Sequence, residues 1–405
     1  MFAPTLALED AGEGDGRVAA AGAGPPQADL RENWDDAEGY YVTVVGEVLD
    51  GRYRVTAPLG KGVFSTVVRA RREPSADPAD DAAIAAPVDV AIKIVRRNDL
   101  MQAAAEHEIK VLETLGRADP RGERHVARLL ASFWHKQHRC LVFEAMHTDL
   151  RAVLRDHGAG RGLRLETVAV MARHLFLALG LLRDCGYVHL DIKPDNVLLA
   201  ADRQSVVLAD LGSATDVPQQ AATPYLASRF YRAPEVILGH DPSAAVDTWA
   251  AGCTLAELAT GQILFAGRDN NDMLFRIMQT LGKVPHRLIR RGPTAAVSAH
   301  FDGGPALLFR QHTRDRLTGR PVARLLAIAA GPASAADALA ARFPHCPSSL
   351  NAARTPFERR LWHLVDLVER CLALNPDRRI TPAAALAHPF IAGPWAPSAS
   401  AEASS

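Results

Sequence analysis

The chain has 405 residues, of which 48% are hydrophobic and 23% charged, so it can bury a sizeable core over more than one ordinary domain without metals or disulfides. Lys plus Arg equals Asp plus Glu at 46 each, which leaves no global field to draw the chain to nucleic acid or to an anionic membrane. No direct nucleic-acid binding is expected. The five cysteines, Cys140, Cys185, Cys253, Cys346 and Cys371, are scattered without a CxxC pair and read as reduced intracellular thiols.

The start, MFAPTLALEDAGEGDG, turns acidic after a short apolar stretch with no basic region, so it is not read as a secretory signal. No later run approaches about 20 apolar residues, the length a membrane span needs, and a cytosolic or nuclear protein without membrane attachment is expected. Residues 1–30 are rich in Ala, Gly and Pro with scattered acids, a composition that cannot offset the entropy of ordering. The same holds for 392–405, and both ends are expected to be disordered. Residues 31–51 form a lead-in ahead of the first strand.

From Arg52 short β-type runs follow, YRVTAPL, VFSTVVRAR and VDVAIKIV, separated by turn residues and the loop EPSADPADDAAIAAP. They predict an antiparallel meander. MQAAAEHEIKVLETLG is predicted as a helix with apolar positions at Ile109, Leu112 and Leu115 and a stop at Gly116. Strands near VARLLASFW and RCLVFEAM complete a small lobe over 52–146.

Within that lobe, Gly60 and Gly62 of LGKGVFSTV would let backbone approach phosphates that a Cβ would obstruct, although a glycine pair between strands also suits a plain turn. Lys93 sits among apolar residues in VAIK, where a buried ammonium needs an anionic partner, unless it is a solvated edge residue. Glu108 is the first choice and Glu106 the rival.

Over 147–391 helices dominate: VAVMARHLFLALGLLRDCG, DTWAAGCTLAELATG, DNNDMLFRIMQTLG and LWHLVDLVERCLAL all carry helical periodicity. No clear period marks the stretch from Arg314 to Leu350, and no structure is assigned there. HLDIKPDNVLL places a carboxylate, a lysine and an amide together between a helix and a strand. Asp191 suits accepting a substrate hydroxyl proton, Lys193 neutralising a transferring phosphoryl group, and Asn196 holding a metal ion. Asp210 in VVLADLGSA suits a Mg²⁺ ligand at a strand end. His189 reads as a packed support for the loop rather than a base, because phosphoryl transfer gains most from positioning and charge stabilisation.

The order GxGxxS, VAIK, helix Glu, HxDIKPDN, ADLG, APE and DxW resembles the eukaryotic protein kinases, with Ser65 at the third glycine and Leu211 where most members have Phe. The resemblance implies an α+β, two-lobed fold, ATP and Mg²⁺ as cofactors, and protein substrates phosphorylated on serine or threonine. By the same resemblance Leu59, Gly60, Lys61, Gly62, Val67, Ala91, Lys93 and Leu198 would surround the nucleotide. Glu144 and Met146 would offer hinge hydrogen bonds, Phe143 would be the gatekeeper, and Asp149 would reach the ribose or remain a solvated polar residue. Glu235 would pair with Arg379, and Asp247 would anchor the catalytic loop.

NWDDAEGYYVTVVGEVLDGRYRV, GVFSTVVRAR, HKQHRCLVFE, TPYLASRFYRAPE and CTLAELATGQILFAG further resemble the pre-mRNA-processing-factor-four kinases, within the group of cyclin-dependent and mitogen-activated kinases. That resemblance implies a nuclear, monomeric kinase domain acting on proteins of the U4/U6-U5 tri-snRNP, with a group-specific insert at about 262–355. The family commonly carries a long basic N-terminal extension, where this chain has a short acidic one. Leu190 stands where many kinases have an arginine that grips an activation-loop phosphate, so phosphorylation at Tyr225 would act through Arg229 or Arg232 instead. The alternatives are a neighbouring dual-specificity tyrosine-regulated or homeodomain-interacting kinase, and a non-catalytic scaffold.

Overall fold

The period-2 patterns from Arg52 onward form one antiparallel sheet in the computed structural model, which describes residues 34–73, 88–216, 227–314, 318–327 and 335–393. Its strands are β1 (Val48–Leu49), β2 (Tyr53–Lys61), β3 (Ser65–Arg72), β4 (Asp89–Val95), β5 (Leu129–His135) and β6 (His138–Glu144), in the order β1-β2-β3-β4-β6-β5. Alternation sends Val68, Ala70, Val90, Ile92 and Ile94 into a core with Tyr53 and Phe133. The opposite parity puts Val67, Ala91 and Lys93 on the other face, with Val67 directly across from Lys93. Both expected tails, the loop from Pro74 to Pro87 and Tyr225 lie outside the described residues, apart from Ala392 and Gly393.

Helix α1 (Asp99–Ala118) opens on Asn98, whose side chain accepts from the N–H groups of Leu100 and Met101. It runs past the predicted stop: Gly116 is helical, and the cap falls at Asp119. A Cβ at Gly116 would meet nothing within 4 Å, so this glycine sits in open space and marks no turn. Ile109, Leu112 and Leu115 are buried as their spacing requires, and Glu108 is buried beside them.

The larger lobe is built on α2 (Leu150–His157), α3 (Leu165–Asp184), α4 (Pro234–Ile237), α5 (Ala245–Thr260) and α6 (Asn270–Leu281). After α7 (His286–Arg291), α8 (Thr294–Ser298) and α9 (Ala335–Ala340) come α10 (Pro356–Cys371), α11 (Pro382–Leu386) and α12 (Pro389–Ala392). The short strands are β7 (Thr148–Asp149), just ahead of α2, and, between α3 and α4, β8 (Tyr187–Val188), β9 (Val197–Leu199), β10 (Val206–Leu208) and β11 (Thr215–Asp216). Helix α3 corrects one expectation: its 18-residue window reaches a mean hydropathy of 1.6, apolar enough to cross a membrane by length and composition. Those residues are apolar because the helix is the axis of the lobe, with Val168, Ala172, Phe176 and Leu182 at most 1% exposed. Between Arg314 and Leu350 the chain is not patternless: β12 (Phe309–Arg314) and β13 (Pro321–Leu326) form a hairpin, and α9 follows. Phe309 is the one buried position in the two strands, which removes the alternation that would have marked them.

Candidate active site

A cleft of about 520 Å³ opens between the lobes, lined among others by Leu59, Gly60, Gly62, Val67, Ala91, Lys93, Glu108, Phe143, Glu144, Met146, Asp149, Asn196, Leu198 and Asp210. Its size is that of a pocket for a small organic ligand. The sheet supplies the roof, β9 supplies Leu198 beneath, and Phe143 on β6 lies opposite Ala91. The Met146 carbonyl accepts from Arg69 at 3.1 Å, and Asp149 spends one oxygen capping α2 through the Ala152 N–H at 2.8 Å. Lys61 is not brought to this cleft. Its amine turns to Asp36 at 2.9 Å and lies 3.9 Å from the ring centre of Tyr40.

Behind the cleft Lys93 Nζ donates to both Glu108 oxygens, at 2.9 and 2.8 Å, and to Asp210 Oδ1 at 3.0 Å. Burial disfavours the ammonium, but the Glu108 and Asp210 charges outweigh it and hold the Lys93 pKa above the ordinary lysine value. Burial likewise works against the Asp210 carboxylate, and Lys93 reverses this and lowers its pKa. Glu106, the rival partner, instead lies 2.8 Å from Arg139. Asp210 has φ 59°, a left-handed backbone that Asp tolerates better than most residues and that turns its side chain back toward Lys93. Gly212 lies against this junction: a Cβ there would stand 3.4 Å from Asp210 Oδ1 and 3.5 Å from Glu108 Oε2, in ordinary van der Waals contact.

Below, the loop after β8 folds around Asp191. Lys193 Nζ donates to Asp191 Oδ2 at 2.7 Å, Asn196 Nδ2 donates to the same oxygen at 3.0 Å, and Ser228 Oγ donates to Oδ1 at 2.6 Å. Asp247, buried at the start of α5, accepts from the His189 and Leu190 N–H groups at 2.7 and 2.9 Å. His189 is fully buried; Nδ1 accepts from the Asp191 N–H at 3.2 Å, which assigns its proton to Nε2, 3.0 Å from the Ala209 carbonyl. The histidine therefore ties the loop to the strand that delivers Asp210. A carboxylate held by an ammonium and two hydrogen bonds, with an amide and a second carboxylate nearby, can orient a hydroxyl and bind charge, which is what phosphoryl transfer requires.

The protein kinase domain family matches residues 53–391. The chain belongs to that family. This kinase is 41% identical over 363 residues to serine/threonine-protein kinase prp4 of Schizosaccharomyces pombe, covering 90% of this chain and 71% of that protein. It is 35% identical over 368 residues to serine/threonine-protein kinase prpf4B of Dictyostelium discoideum, covering 90% of this chain and 42% of the relative. Against dual specificity tyrosine-phosphorylation-regulated kinase 3 of Rattus norvegicus the identity is 33% over 372 residues, 88% of this chain and 57% of the relative. It is thus a two-lobed serine/threonine protein kinase of the prp4 type, and it spans less than two thirds of the two longer relatives. Membership implies binding of ATP and use of a divalent metal ion.

Ser228 was not singled out by the sequence, although it opens the SRFYRAPE segment read for Glu235. Its hydroxyl also accepts from Lys193 Nζ at 3.1 Å, so it closes the ring around Asp191. Arg229 donates to the Arg268 carbonyl at 2.6 Å, while Arg232 donates to Asn270 Oδ1 at 2.5 Å and the Ala227 carbonyl at 2.7 Å. Both line a separate cavity of about 880 Å³ with His300 and His312. Leu190, in the arginine's place, is 3% exposed and points into the core with φ 67°. Glu235 and Arg379 form a buried bidentate pair, with Arg379 Nη2 2.6 Å from Glu235 Oε2 and its guanidinium 5.0 Å from the centre of the Trp249 ring.

Proposed function

We propose that this kinase moves the ATP γ-phosphoryl group to serine and threonine hydroxyls of splicing proteins, those of the U4/U6-U5 tri-snRNP, in the nucleus. The observation that supports the reading is that Lys93, Glu108 and Asp210 line one cleft together with Asn196, which donates to Asp191 at 3.0 Å and so joins the Asp191–Lys193–Ser228 cluster to its edge. Leu59, Gly60, Gly62, Val67, Ala91 and Leu198 enclose the adenine and ribose end, Glu144 and Met146 meet the base through backbone, and Lys93, oriented by Glu108, holds the α- and β-phosphates. Asp191 accepts the hydroxyl proton as its oxygen attacks, and Lys193 stabilises the charge on the transferring group.

For the metal, no group of three or more His, Cys, Asp or Glu occurs among the described residues. Two donors, Asn196 and Asp210, suit Mg²⁺, which takes its other ligands from phosphates and water. When bound there it neutralises phosphate charge. The splicing assignment is supported by the higher identity to the prp4-type kinases than to the rat dual-specificity enzyme, and by the lead-in segment that resembles the same family.

The test is radiolabelled transfer from ATP and Mg²⁺ to a tri-snRNP protein fragment by the full chain, Asp191→Ala and Lys93→Met, with phosphoamino-acid analysis. Label on serine or threonine that collapses in both variants is the expected result. Label on substrate tyrosine would favour the dual-specificity alternative, and wild-type label no higher than in the variants would overturn the catalytic reading. Phosphopeptide mapping of the same reaction tests modification of Tyr225, which we expect to engage Arg229 or Arg232.

A further inference from the structure

The lead-in residues take no part in the chemistry above, yet they are bound to both parts of the small lobe that must be in register for it. Residues 34–42 fold back on themselves: the Val42 N–H donates to the Trp34 carbonyl at 2.8 Å, and Asp36 Oδ1 accepts from the N–H groups of Glu38 and Tyr40 at 3.0 and 2.9 Å. One side of this turn holds the junction between β4 and α1. The Arg97 N–H donates to the Gly39 carbonyl at 2.8 Å, Arg96 Nε donates to the Glu38 carbonyl, and Asp35 lies 3.3 Å from Arg97 Nη1 and 2.7 Å from His138 Nε2. That junction joins the strand that carries Lys93 to the helix that carries Glu108.

The other side holds the glycine-rich turn. Tyr40 Oη donates to the Val63 carbonyl at 2.8 Å, and Asp36 Oδ2 accepts from Lys61 at 2.9 Å. The Tyr40 ring has the Lys61 ammonium 3.9 Å and the Arg96 guanidinium 4.8 Å from its centre. Val63 and Phe64 are 67% and 59% exposed, so the tip of the turn has no core of its own to hold it. Beyond the ladder pairs Lys61–Thr66 and Ser65–Val95 at its base, the turn is held by a backbone bond from the Arg96 N–H to the Phe64 carbonyl at 2.9 Å and by the Tyr40 and Asp36 contacts.

We propose that residues 34–42 are a clamp that fixes the glycine-rich turn over the nucleotide relative to Lys93 and Glu108, with Tyr40 and Asp36 as its positioning residues. The proposal rests on the nucleotide cleft assigned above. Losing the Tyr40 hydroxyl frees the turn to lift, and its backbone then no longer closes over the phosphates. A neutral hydrogen bond of ordinary strength converts to a change of about twofold to tenfold in affinity.

The experiment compares the full chain with Tyr40→Phe, which keeps the ring, and Asp36→Asn, which keeps the shape. KM for ATP and KM for the protein substrate are measured separately, together with amide hydrogen exchange over residues 59–66 in the nucleotide-free protein. Each variant is expected to raise KM for ATP about twofold to tenfold, to leave KM for the protein substrate unchanged, and to speed exchange in the turn. Unchanged exchange and unchanged KM for ATP in both variants, even with a lower Tm, would reduce the lead-in to a structural brace and overturn the clamp. Nucleotide binding that Lys93→Met leaves unaffected would instead overturn the cleft assignment, while the exchange measurement still decides the clamp.

Discussion

Replacing Ser228 by alanine removes one oxygen and two contacts, the 2.6 Å bond donated to Asp191 Oδ1 and the 3.1 Å bond accepted from Lys193 Nζ. Asp191 keeps Lys193 and Asn196 on its other oxygen, so the carboxylate stays paired but can rotate about its own axis. Hydrogen bonds to charged groups contribute about 1.5–3 kcal/mol. If that orientation is needed only while the hydroxyl is being attacked, the loss falls on kcat rather than on nucleotide binding, about 10- to 150-fold. Ser228 lies 37 positions from Asp191 and is not among the residues lining the nucleotide cleft, so KM for ATP should hold. Steady-state kinetics at saturating ATP measure the effect, and Ser228→Thr should restore most of the rate because it keeps the hydroxyl. A fall in kcat of less than about threefold in Ser228→Ala, or an equal loss in Ser228→Thr, would refute the claim that this hydroxyl orients Asp191.

Glu235→Ala leaves Arg379 buried and charged at 1% side-chain exposure, with the Ala373 and Ala245 carbonyls as its remaining hydrogen-bond partners among the described residues. Stranding such a charge costs about 3–5 kcal/mol. At about 2.1 cal/mol/K of unfolding entropy per residue over the 53–391 domain, Tm should fall by roughly 4–7 °C in a thermal melt. Acid should also destabilise the fold through two buried histidines. Burial, with the neighbouring His125 and Arg173, pushes His174 down to about 3, and burial with His312 pushes His300 down to about 4. Both lie below the ordinary 6.5, so the unfolded chain binds the extra protons, and stability is full above about pH 6.5 and lost progressively toward the folded values. A Tm that declines from pH 7.5 to pH 5, with a shallower slope in His174→Leu, is the expected result, and a flat profile would contradict it.

The residues proposed to carry the reaction could be named from the sequence because they lie in short contiguous runs. Asp191, Lys193 and Asn196 sit within one loop, and the bonds among them span two to five residues. Glu108, three residues on from Ala105, stays on the buried face of α1 and meets Lys93, whereas Glu106 turns toward Arg139. Contacts made across the chain were legible only where the family resemblance implied them, as for Glu235 with Arg379 and Asp247 with the loop at His189. Lys61 looks like a nucleotide-facing residue between two glycines, but a carboxylate 25 residues earlier draws it away, and only the folded lead-in places that carboxylate. Ser228 was hidden for the same reason. The apolar length of α3 was misjudged because a helix at the centre of a large lobe needs apolar residues on nearly all sides, which is also what a bilayer asks of a helix.

Leu190 gains meaning from what surrounds it. An arginine at that position reaches a phosphate, and without one the catalytic loop needs another means of holding its shape. Here Asp247 grips the His189 and Leu190 N–H groups from below, His189 ties the Asp191 N–H to the Ala209 carbonyl, and the Leu190 side chain is turned inward by its left-handed backbone. All of these bonds form within the described fold and none requires a modified residue. The ring from Ser228 to Asp191 and Lys193 is likewise complete. The loop is therefore pre-organised by buried backbone contacts that hold Asp191 in place.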